Sequence, residues 1–246
     1  LRAAGTAAMI YVLPTPRELR GKFLGHHRLY AYPSEPELPT GDEFVILDSG
    51  AFWLSKAGGR SGGMSQAYMH CLAEHYAKYQ TSDAALVCVA PDVYGNPEQT
   101  MRQWAWWHSE GLPQVAPVIQ FTQKHLDHNE VSIAIRQCAY YRAWSPEFVL
   151  VSNLCVPGIR AAQGMPLILS VVQKVLHPRW IHVFGAGWSP EDIRAWREIG
   201  PDSIDSIAYY TAAQEGQSWD GDPPDADWRV TARRNALAAQ QLASGF

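Results

Sequence analysis

Short apolar runs alternate with longer amphipathic stretches along most of the 246-residue chain. A short apolar run indicates a buried strand, and apolar side chains at helical spacing indicate a helix. Strands that alternate with helices are typical of a parallel sheet covered by helices. Eight such strands predict an α/β protein with a single-domain (β/α)8 TIM-barrel fold. An open, doubly wound sheet is the alternative that the same pattern allows.

The elements are predicted from the apolar runs and from helix-capping signals. The predicted strands are 9–12, 29–31, 44–47, 85–89, 115–119, 148–151, 181–184 and 203–207. The predicted helices are 65–79, 97–109, 128–144, 158–176, 190–199 and 227–243. Ser189 before Pro190 is a strong helix start, because serine caps a helix and proline fits its first turn. The barrel is predicted to span 9–246, and residues 1–8 are expected to be disordered or foreign to it.

Polar side chains follow the predicted strands at the points where those strands end. A single aspartate in such a place could be a helix N-cap or a turn former. Several in succession favour an active site, because the carboxyl ends of barrel strands meet at one face. They are Asp48, Asp92, Gln120, Ser152 with Asn153, and Asp205.

Composition and charge restrict the class of protein. The content of 47% hydrophobic and 18% charged residues is that of a globular domain with a sizeable core. The sequence has neither an apolar run long enough for a membrane helix nor a signal-peptide pattern, so we expect a cytoplasmic protein. The four cysteines have no CxxC spacing and are expected to be free thiols. The net charge of −4 argues against indiscriminate nucleic-acid binding but not against a local basic face.

Six short motifs carry a resemblance to a known family. They are DSGAF at 48–52, PDVYGNP at 91–97, VIQ at 118–120, VSNLCVPG at 151–158, HVFGAG at 182–187 and SIDS at 203–206. Their order resembles the tRNA-guanine transglycosylase superfamily, which carries DSGGF, a DECTPYP-like segment, VQG or IQG, GGLAVGE, LMGVG and FDCVLPTR. The resemblance covers roughly two thirds of the chain. It implies a TIM barrel that exchanges guanine for a modified base.

The resemblance also implies roles for individual residues. Asp205 would be the nucleophile and Asp48 the acid/base. Asp92 and Gln120 would bind the edge of the base. The remaining base-binding positions implied are Ser152, Asn153, Leu154, Phe52, Phe184 and Gly185.

These residue types suit N-glycosidic chemistry independently of the resemblance. A carboxylate can stabilise or trap an oxocarbenium-like centre, and a second carboxyl group can manage the proton of the base. An ionised Asp92 can accept the two neighbouring N–H groups of a guanine edge, and Gln120 can donate to the carbonyl at position 6. The base must be turned out of the stack to reach such a pocket.

The chain departs from the family pattern in ways that affect the predicted substrate. No cysteine follows Cys155 and no histidine follows His182, so the family's zinc subdomain is not expected, and neither a metal nor a cofactor is predicted. The GGLAVGE glutamate is also missing, which favours a nitrile-bearing or differently substituted 7-deazaguanine. The chain therefore looks most like the short, zinc-free branch, found in phages and bacteria, that places 7-deazaguanines into DNA.

DNA is the predicted partner, with a tRNA or a free nucleoside as alternative substrates. A non-catalytic nucleic-acid-binding barrel is the alternative function, and a partner protein could supply missing DNA-binding elements. Basic residues between 17 and 28, and others in the glycine-rich loop after Asp48, could contact phosphates. They are Arg17, Arg20, Lys22, Arg28, Lys56 and Arg60.

Overall fold

The computed structural model describes residues 8–23, 25–38, 41, 43–56, 63–80, 85–122, 128–152 and 164–245, without the side chains of residues 53, 55 and 56. The predicted α/β TIM-barrel fold is confirmed in these residues. The strands are β1 (Ile10–Pro14), β2 (Arg28–Ala31), β3 (Val45–Asp48), β4 (Leu86–Cys88), β5 (Val118–Ile119), β6 (Phe148–Ser152), β7 (Trp180–Phe184) and β8 (Ser203–Asp205).

The strands pair in parallel in the order β4-β3-β2-β1-β8-β7-β6-β5. The two ends of this order, β4 and β5, are joined by an isolated parallel bridge between Val89 and Ala116. The Ala116 N–H donates to the Cys88 carbonyl oxygen at 2.8 Å, and the Ala90 N–H donates to the Ala116 carbonyl oxygen at 2.9 Å. The sheet therefore curls back on itself, and the open doubly wound alternative is wrong.

Helices follow the strands and cover the outside of the sheet. They are α1 (Ala51–Lys56), α2 (Gln66–Gln80), α3 (Pro97–Ser109), α4 (His128–Tyr141), α5 (Met165–Leu176), α6 (Pro190–Ile199), α7 (Ala208–Gln214) and α8 (Trp228–Ser244). The predicted start of α6 is confirmed, because the Ser189 side chain accepts the Asp192 N–H at 3.2 Å. Within the described ranges, none of the helices combines the length and the apolar character needed to cross a membrane.

Alternating side chains along the strands separate two apolar cores. One set faces the helices and includes Tyr11, Leu47, Val151 and Val183. The other set fills the barrel interior with Val12, Leu29, Ile46, Val87, Val89, Ala116, Val118 and Leu150. Because successive side chains of a strand point to opposite faces, the polar residues at the strand ends continue the inward-facing set.

Two of the predicted segments that differ in the structure lie at the carboxyl ends of strands. A loop is predicted directly after Asp48, but the chain turns at Gly50, whose φ is 80°, and enters α1 at Ala51. The last predicted strand, 203–207, ends at Asp205, because the Ser206 hydroxyl accepts the Ala208 N–H at 3.1 Å and begins the turn into α7. The first part of the predicted helix 158–176 lies outside the described residues.

Cys71, Cys88 and Cys138 are free thiols, and Cys155 lies outside the described residues. Cys88 and Cys138 are buried against the helices, and burial raises the pKa of each thiol to about 12. Both therefore stay protonated and unreactive near neutral pH.

Candidate active site

A cavity of about 600 Å³ opens at the carboxyl ends of the strands. Most of the predicted site residues lie in the described part of the chain and line this cavity. They are Asp48, Phe52, Asp92, Gln120, Ser152, Phe184, Gly185 and Asp205. The predicted positions Asn153 and Leu154 lie outside the described residues.

Asp92 is buried and held from two sides. The Ser49 hydroxyl donates to Asp92 Oδ1 at 2.6 Å, and Gln120 Nε2 donates to Asp92 Oδ2 at 2.6 Å. Burial raises the pKa of Asp92 to about 6, against the lowering effect of these two hydrogen bonds. Each carboxylate oxygen keeps a further acceptor position for a ligand, because an ionised carboxylate has about four.

Gln120 is oriented by its surroundings. Its Oε1 accepts the Gly95 N–H at 3.4 Å, so that Nε2 faces Asp92. Its backbone N–H donates to Gln137 Oε1 at 2.9 Å, and Gln137 Nε2 donates to its carbonyl oxygen at 2.8 Å. The second Nε2 proton of Gln120 therefore remains for a ligand acceptor within the cavity. Sequence reasoning missed Ser49 and Gln137, which act through their neighbours.

Asp48 lies at the end of β3 and faces the same cavity. Its Oδ2 accepts the Gly50 N–H at 3.3 Å. Burial raises the pKa of Asp48 to about 7, and the negative charges of Asp92 and Asp205 add to the rise. Near neutral pH the carboxyl group is therefore present in both protonation states, as a group that gives and takes a proton requires.

The raised pKa of Asp48 predicts a pH-dependent stability. The folded chain binds a proton at Asp48 up to about pH 7, whereas the unfolded chain releases it near its ordinary value of 3.8. The free energy of unfolding should therefore fall as pH rises from 4 to 7, by roughly 2–4 kcal/mol for this group. Asp48→Asn should remove this part of the slope and be more stable than the parent at pH 8.

Urea unfolding of the parent and of Asp48→Asn between pH 4 and 8 checks this prediction. In Asp48→Asn the free energy of unfolding should still fall with pH, but less steeply, because Asp92 also has a raised pKa of about 6. Asp225→Asn on an exposed loop is the control and should leave the curve unchanged. A stability difference between parent and Asp48→Asn that does not vary with pH would contradict the assignment.

Asp205 ends β8 and is buried at the base of the cavity. Its Oδ1 accepts the Gly185 N–H at 3.1 Å and lies 3.1 Å from His182 Nε2. Sequence reasoning also missed His182 as a member of the site. The signal that could have found it is its place in β7, two residues before Phe184, at an inward-facing position where the other strands carry aliphatic side chains.

Aromatic rings surround the carboxylates at the mouth of the cavity. Phe52 and Tyr94 meet edge to face with centroids 5.5 Å apart. Trp188 is held by its indole N–H, which donates to the Gly185 carbonyl oxygen at 2.8 Å. Phe184 and Tyr210 also line the cavity. Polar edge groups with aromatic walls form a pocket suited to a flat heterocycle.

Three of the predicted phosphate-binding residues lie in the segment that leaves the cavity mouth after β1. Arg17, Arg20 and Lys22 are exposed and follow β1, whose end at Pro14 lines the cavity. Arg20 donates to the Glu35 carbonyl oxygen at 2.7 Å. They form a basic segment on the face that carries the candidate site.

The other predicted basic residues do not extend this segment. The prediction for Arg28 is wrong, because its side chain is fully buried at the amino end of β2, where it donates to the Leu38 carbonyl oxygen at 3.1 Å. It also lies 3.7 Å from Glu43. Lys56 ends α1, but its side chain is not described, and Arg60 lies outside the described residues.

The described side chains include no group of three or more His, Cys, Asp or Glu residues placed to hold a metal ion.

Neither a model of a known protein family nor a curated protein matches this chain. A solved structure does match: the X-ray crystal structure of the YdjI aldolase from Escherichia coli K12. It has a TM-score of 0.50 and 13% sequence identity, and the match covers 97% of this chain and 92% of that one. At this identity the similarity supports the barrel fold alone, so the transglycosylase resemblance remains a prediction from the motifs.

Proposed function

We propose that this protein is an enzyme, a base-exchange glycosyltransferase that replaces guanine in DNA by a 7-deazaguanine. The observation that carries the proposal is the meeting of Asp48, Asp92, Asp205 and Gln120 in one cavity, with aromatic walls around them. These residues are far apart in sequence, and their side chains have the chemistry that N-glycosidic exchange requires.

The proposed first step forms a glycosyl-enzyme. A carboxylate oxygen of Asp205 bonds to C1′ of the nucleotide while the bond from C1′ to the base nitrogen breaks. The electron pair of that bond goes to the departing guanine, which receives a proton from the Asp48 carboxyl group. The pKa of Asp48, raised to about 7 by burial, keeps that proton available near neutral pH.

The second step reverses the first with a different base. The ring nitrogen of the incoming 7-deazaguanine bonds to C1′ and displaces Asp205, which leaves as a carboxylate. The proton of that nitrogen passes to the ionised Asp48, which restores the starting state. No other reactant is needed, because one base replaces another.

Recognition of the base is assigned to Asp92 and Gln120. The carboxylate of Asp92 can accept the N1–H and the exocyclic N–H of a guanine edge. The second Nε2 proton of Gln120 can donate to the carbonyl at position 6. The hydrogen bonds from the Ser49 hydroxyl and the Gly95 N–H hold the side chains of Asp92 and Gln120 in place before a ligand enters. This reduces the entropy cost of ordering the two side chains on binding.

DNA as the substrate is supported by the basic segment that leaves the cavity mouth after β1. Arg17, Arg20 and Lys22 could follow phosphates while one guanine is flipped into the cavity. Backbone contacts of this kind position a nucleic acid without reading its sequence.

Exchange of labelled guanine tests the proposal. The purified protein is incubated with labelled guanine in three separate reactions, which contain duplex DNA, a folded tRNA or deoxyguanosine as the acceptor. We expect incorporation into DNA, and we expect unlabelled 7-deazaguanines to displace the label. Faster incorporation into tRNA or deoxyguanosine would overturn DNA as the substrate, and no incorporation into any of the three would overturn the exchange function.

Neutralising the basic segment should weaken DNA binding for all sequences alike. In Arg17→Gln/Arg20→Gln/Lys22→Gln, fewer counterions are released on binding. The slope of log K against log salt should flatten by up to about 0.9 for each phosphate that the variant no longer neutralises. Fluorescence anisotropy of labelled duplexes across a salt series measures the change.

A matched control removes three positive charges from the opposite end of the barrel. Arg142 and Arg179 are exposed and lie between the end of a helix and the strand that follows it, and Lys174 is exposed in the last turn of α5. Replacing all three by glutamine makes the same change in net charge. If the two triple variants bind DNA equally well, the basic segment is not where the protein holds DNA.

A further inference from the structure

His182 and Ser203 are buried polar residues in an apolar barrel interior. They are paired in register on β7 and β8, and both are fully buried. The buried residues of the described interior core are valine, leucine, isoleucine and alanine, and phenylalanine side chains pack against them. A polar pair in such a place lowers stability unless it is hydrogen-bonded, and apolar residues would fill the same space. The pair lies directly beneath Asp205, which suggests a role in the site.

The hydrogen bonds of this pair select one tautomer of the imidazole. Trp180 Nε1, which can only donate, lies 2.8 Å from Ser203 Oγ, so the hydroxyl oxygen is an acceptor there. The hydroxyl proton is then free to point at His182 Nδ1, also 2.8 Å away. With Nδ1 accepting, a neutral imidazole carries its proton on Nε2, which faces Asp205 Oδ1 at 3.1 Å. The opposite tautomer would set two acceptors against each other.

We propose that His182 is a positioning residue for Asp205, held in its Nε2–H tautomer by the chain from Trp180 through Ser203. This proposal rests on the proposed exchange function, in which Asp205 attacks the sugar. His182 does not line the cavity, although its ring meets the cavity-wall residue Phe184 edge to face with centroids 5.0 Å apart. The proposed role runs through the carboxylate.

The geometry explains what the positioning achieves. Both described hydrogen bonds to the carboxylate, from His182 Nε2 and from the Gly185 N–H, engage Oδ1. Within the described chain, Oδ2 accepts no hydrogen bond and stays available for bond formation. Donors fixed on one oxygen keep the carboxylate plane from rotating, and catalysis depends on such fixed geometry.

Two variants separate hydrogen bonding from packing. His182→Leu keeps the volume but removes the donor, and kcat for exchange should fall about 10–100-fold, as for other residues that orient a reacting group. KM for the base should stay within about twofold, because His182 lies outside the base pocket. His182→Gln offers both a donor and an acceptor and should recover most of kcat. Unchanged kcat in His182→Leu, or an equal loss in both variants, would overturn the proposal.

Val118→Ala provides the packing control. Val118 belongs to the same interior core and does not line the cavity. Its truncation should lower Tm and leave kcat within about twofold, since the loss is one of packing alone. A fall in kcat as large as that of His182→Leu would show that any disturbance of the interior slows exchange, and would overturn the positioning role.

Ser203→Ala tests the chain of hydrogen bonds. Alone, it should lower kcat by roughly fivefold, because Nδ1 loses the donor that selects the tautomer. In the His182→Leu background it should cause no further loss, because the chain is already broken. The same loss in both backgrounds would show that the two residues act independently and would overturn the chain.

Nitrogen-15 NMR of the imidazole separates this proposal from the exchange function. The His182 shifts should report an Nε2–H tautomer in the parent and a changed tautomer balance in Ser203→Ala, whether or not any base is exchanged. An Nδ1–H tautomer in the parent would overturn the proposal even in an active protein. An inactive parent with the Nε2–H tautomer would overturn the exchange function instead, and with it the role given to Asp205.

Discussion

Asp205→Asn is expected to abolish base exchange, with kcat at least about 10³-fold lower than in the parent, because a neutral amide cannot form the glycosyl ester. The fold should survive the change. The asparagine Oδ1 can still accept from the Gly185 N–H and from His182 Nε2, which are the two described partners of the native carboxylate. Binding of the free base should change little, because Asp92 and Gln120 hold its edge.

Labelled-guanine exchange and mass spectrometry of the digested protein check this result together. The parent quenched during turnover should carry a glycosyl adduct on the peptide that contains Asp205, and Asp205→Asn should carry none. Asp222→Asn makes the same chemical change at an exposed carboxylate on the loop before α8, and should behave as the parent does. Exchange near the parent rate in Asp205→Asn would reject Asp205 as the nucleophile.

Asp92→Ala should remove the preference for guanine by about 100-fold or more while leaving DNA affinity nearly unchanged. A site built to accept two N–H groups discriminates strongly against bases that lack them, and the discrimination disappears with the acceptor. The proposed phosphate-binding residues lie elsewhere, so overall binding should persist. Competition of adenine, hypoxanthine and guanine for the free-base site measures the preference.

Ser49→Ala makes a milder change at the same site and is compared with Asp92→Ala. It keeps the carboxylate and removes the hydroxyl that donates to Oδ1 at 2.6 Å. The guanine preference should fall by a smaller factor, because the acceptor remains but is less well oriented. If Asp92→Ala prefers guanine as strongly as the parent does, base recognition belongs to other residues. Equal losses in the two variants would assign the effect to the Ser49 hydrogen bond.

Local patterns predict most elements of the fold. The start of α6 follows from Ser189 and Pro190 alone, and the strand positions follow from short apolar runs. The alternation of the two element types then restricts the sheet to parallel pairing. The prediction for the segment after Asp48 is wrong, because Ser49 and Gly50 signal a turn but the helix α1 that follows is only six residues long.

The basic residues show where local patterns fail. Arg28 lies six positions after Lys22, and sequence proximity groups the two as surface charge. The structure starts β2 at Arg28, so Arg28 is buried at the amino end of the barrel while Lys22 is exposed in the segment that follows β1. Charge clustering along a chain does not determine a shared surface, because the chain must return to the amino end of the barrel before each new parallel strand.

The sequence by itself determined that carboxylates would meet at one end of a parallel barrel, because every parallel strand delivers its last residue to the same face. It also determined which side chains point inward, through the period of two along each strand. Only the tertiary structure decided which of these side chains touch. His182 and Asp205 are 23 positions apart and meet only because β7 pairs with β8 in one register. Ser49 and Asp92 are 43 apart and meet across β3 and β4. A shift of one residue in the pairing of β7 with β8 would turn His182 and Asp205 to opposite faces, and no local pattern specifies register between separate strands.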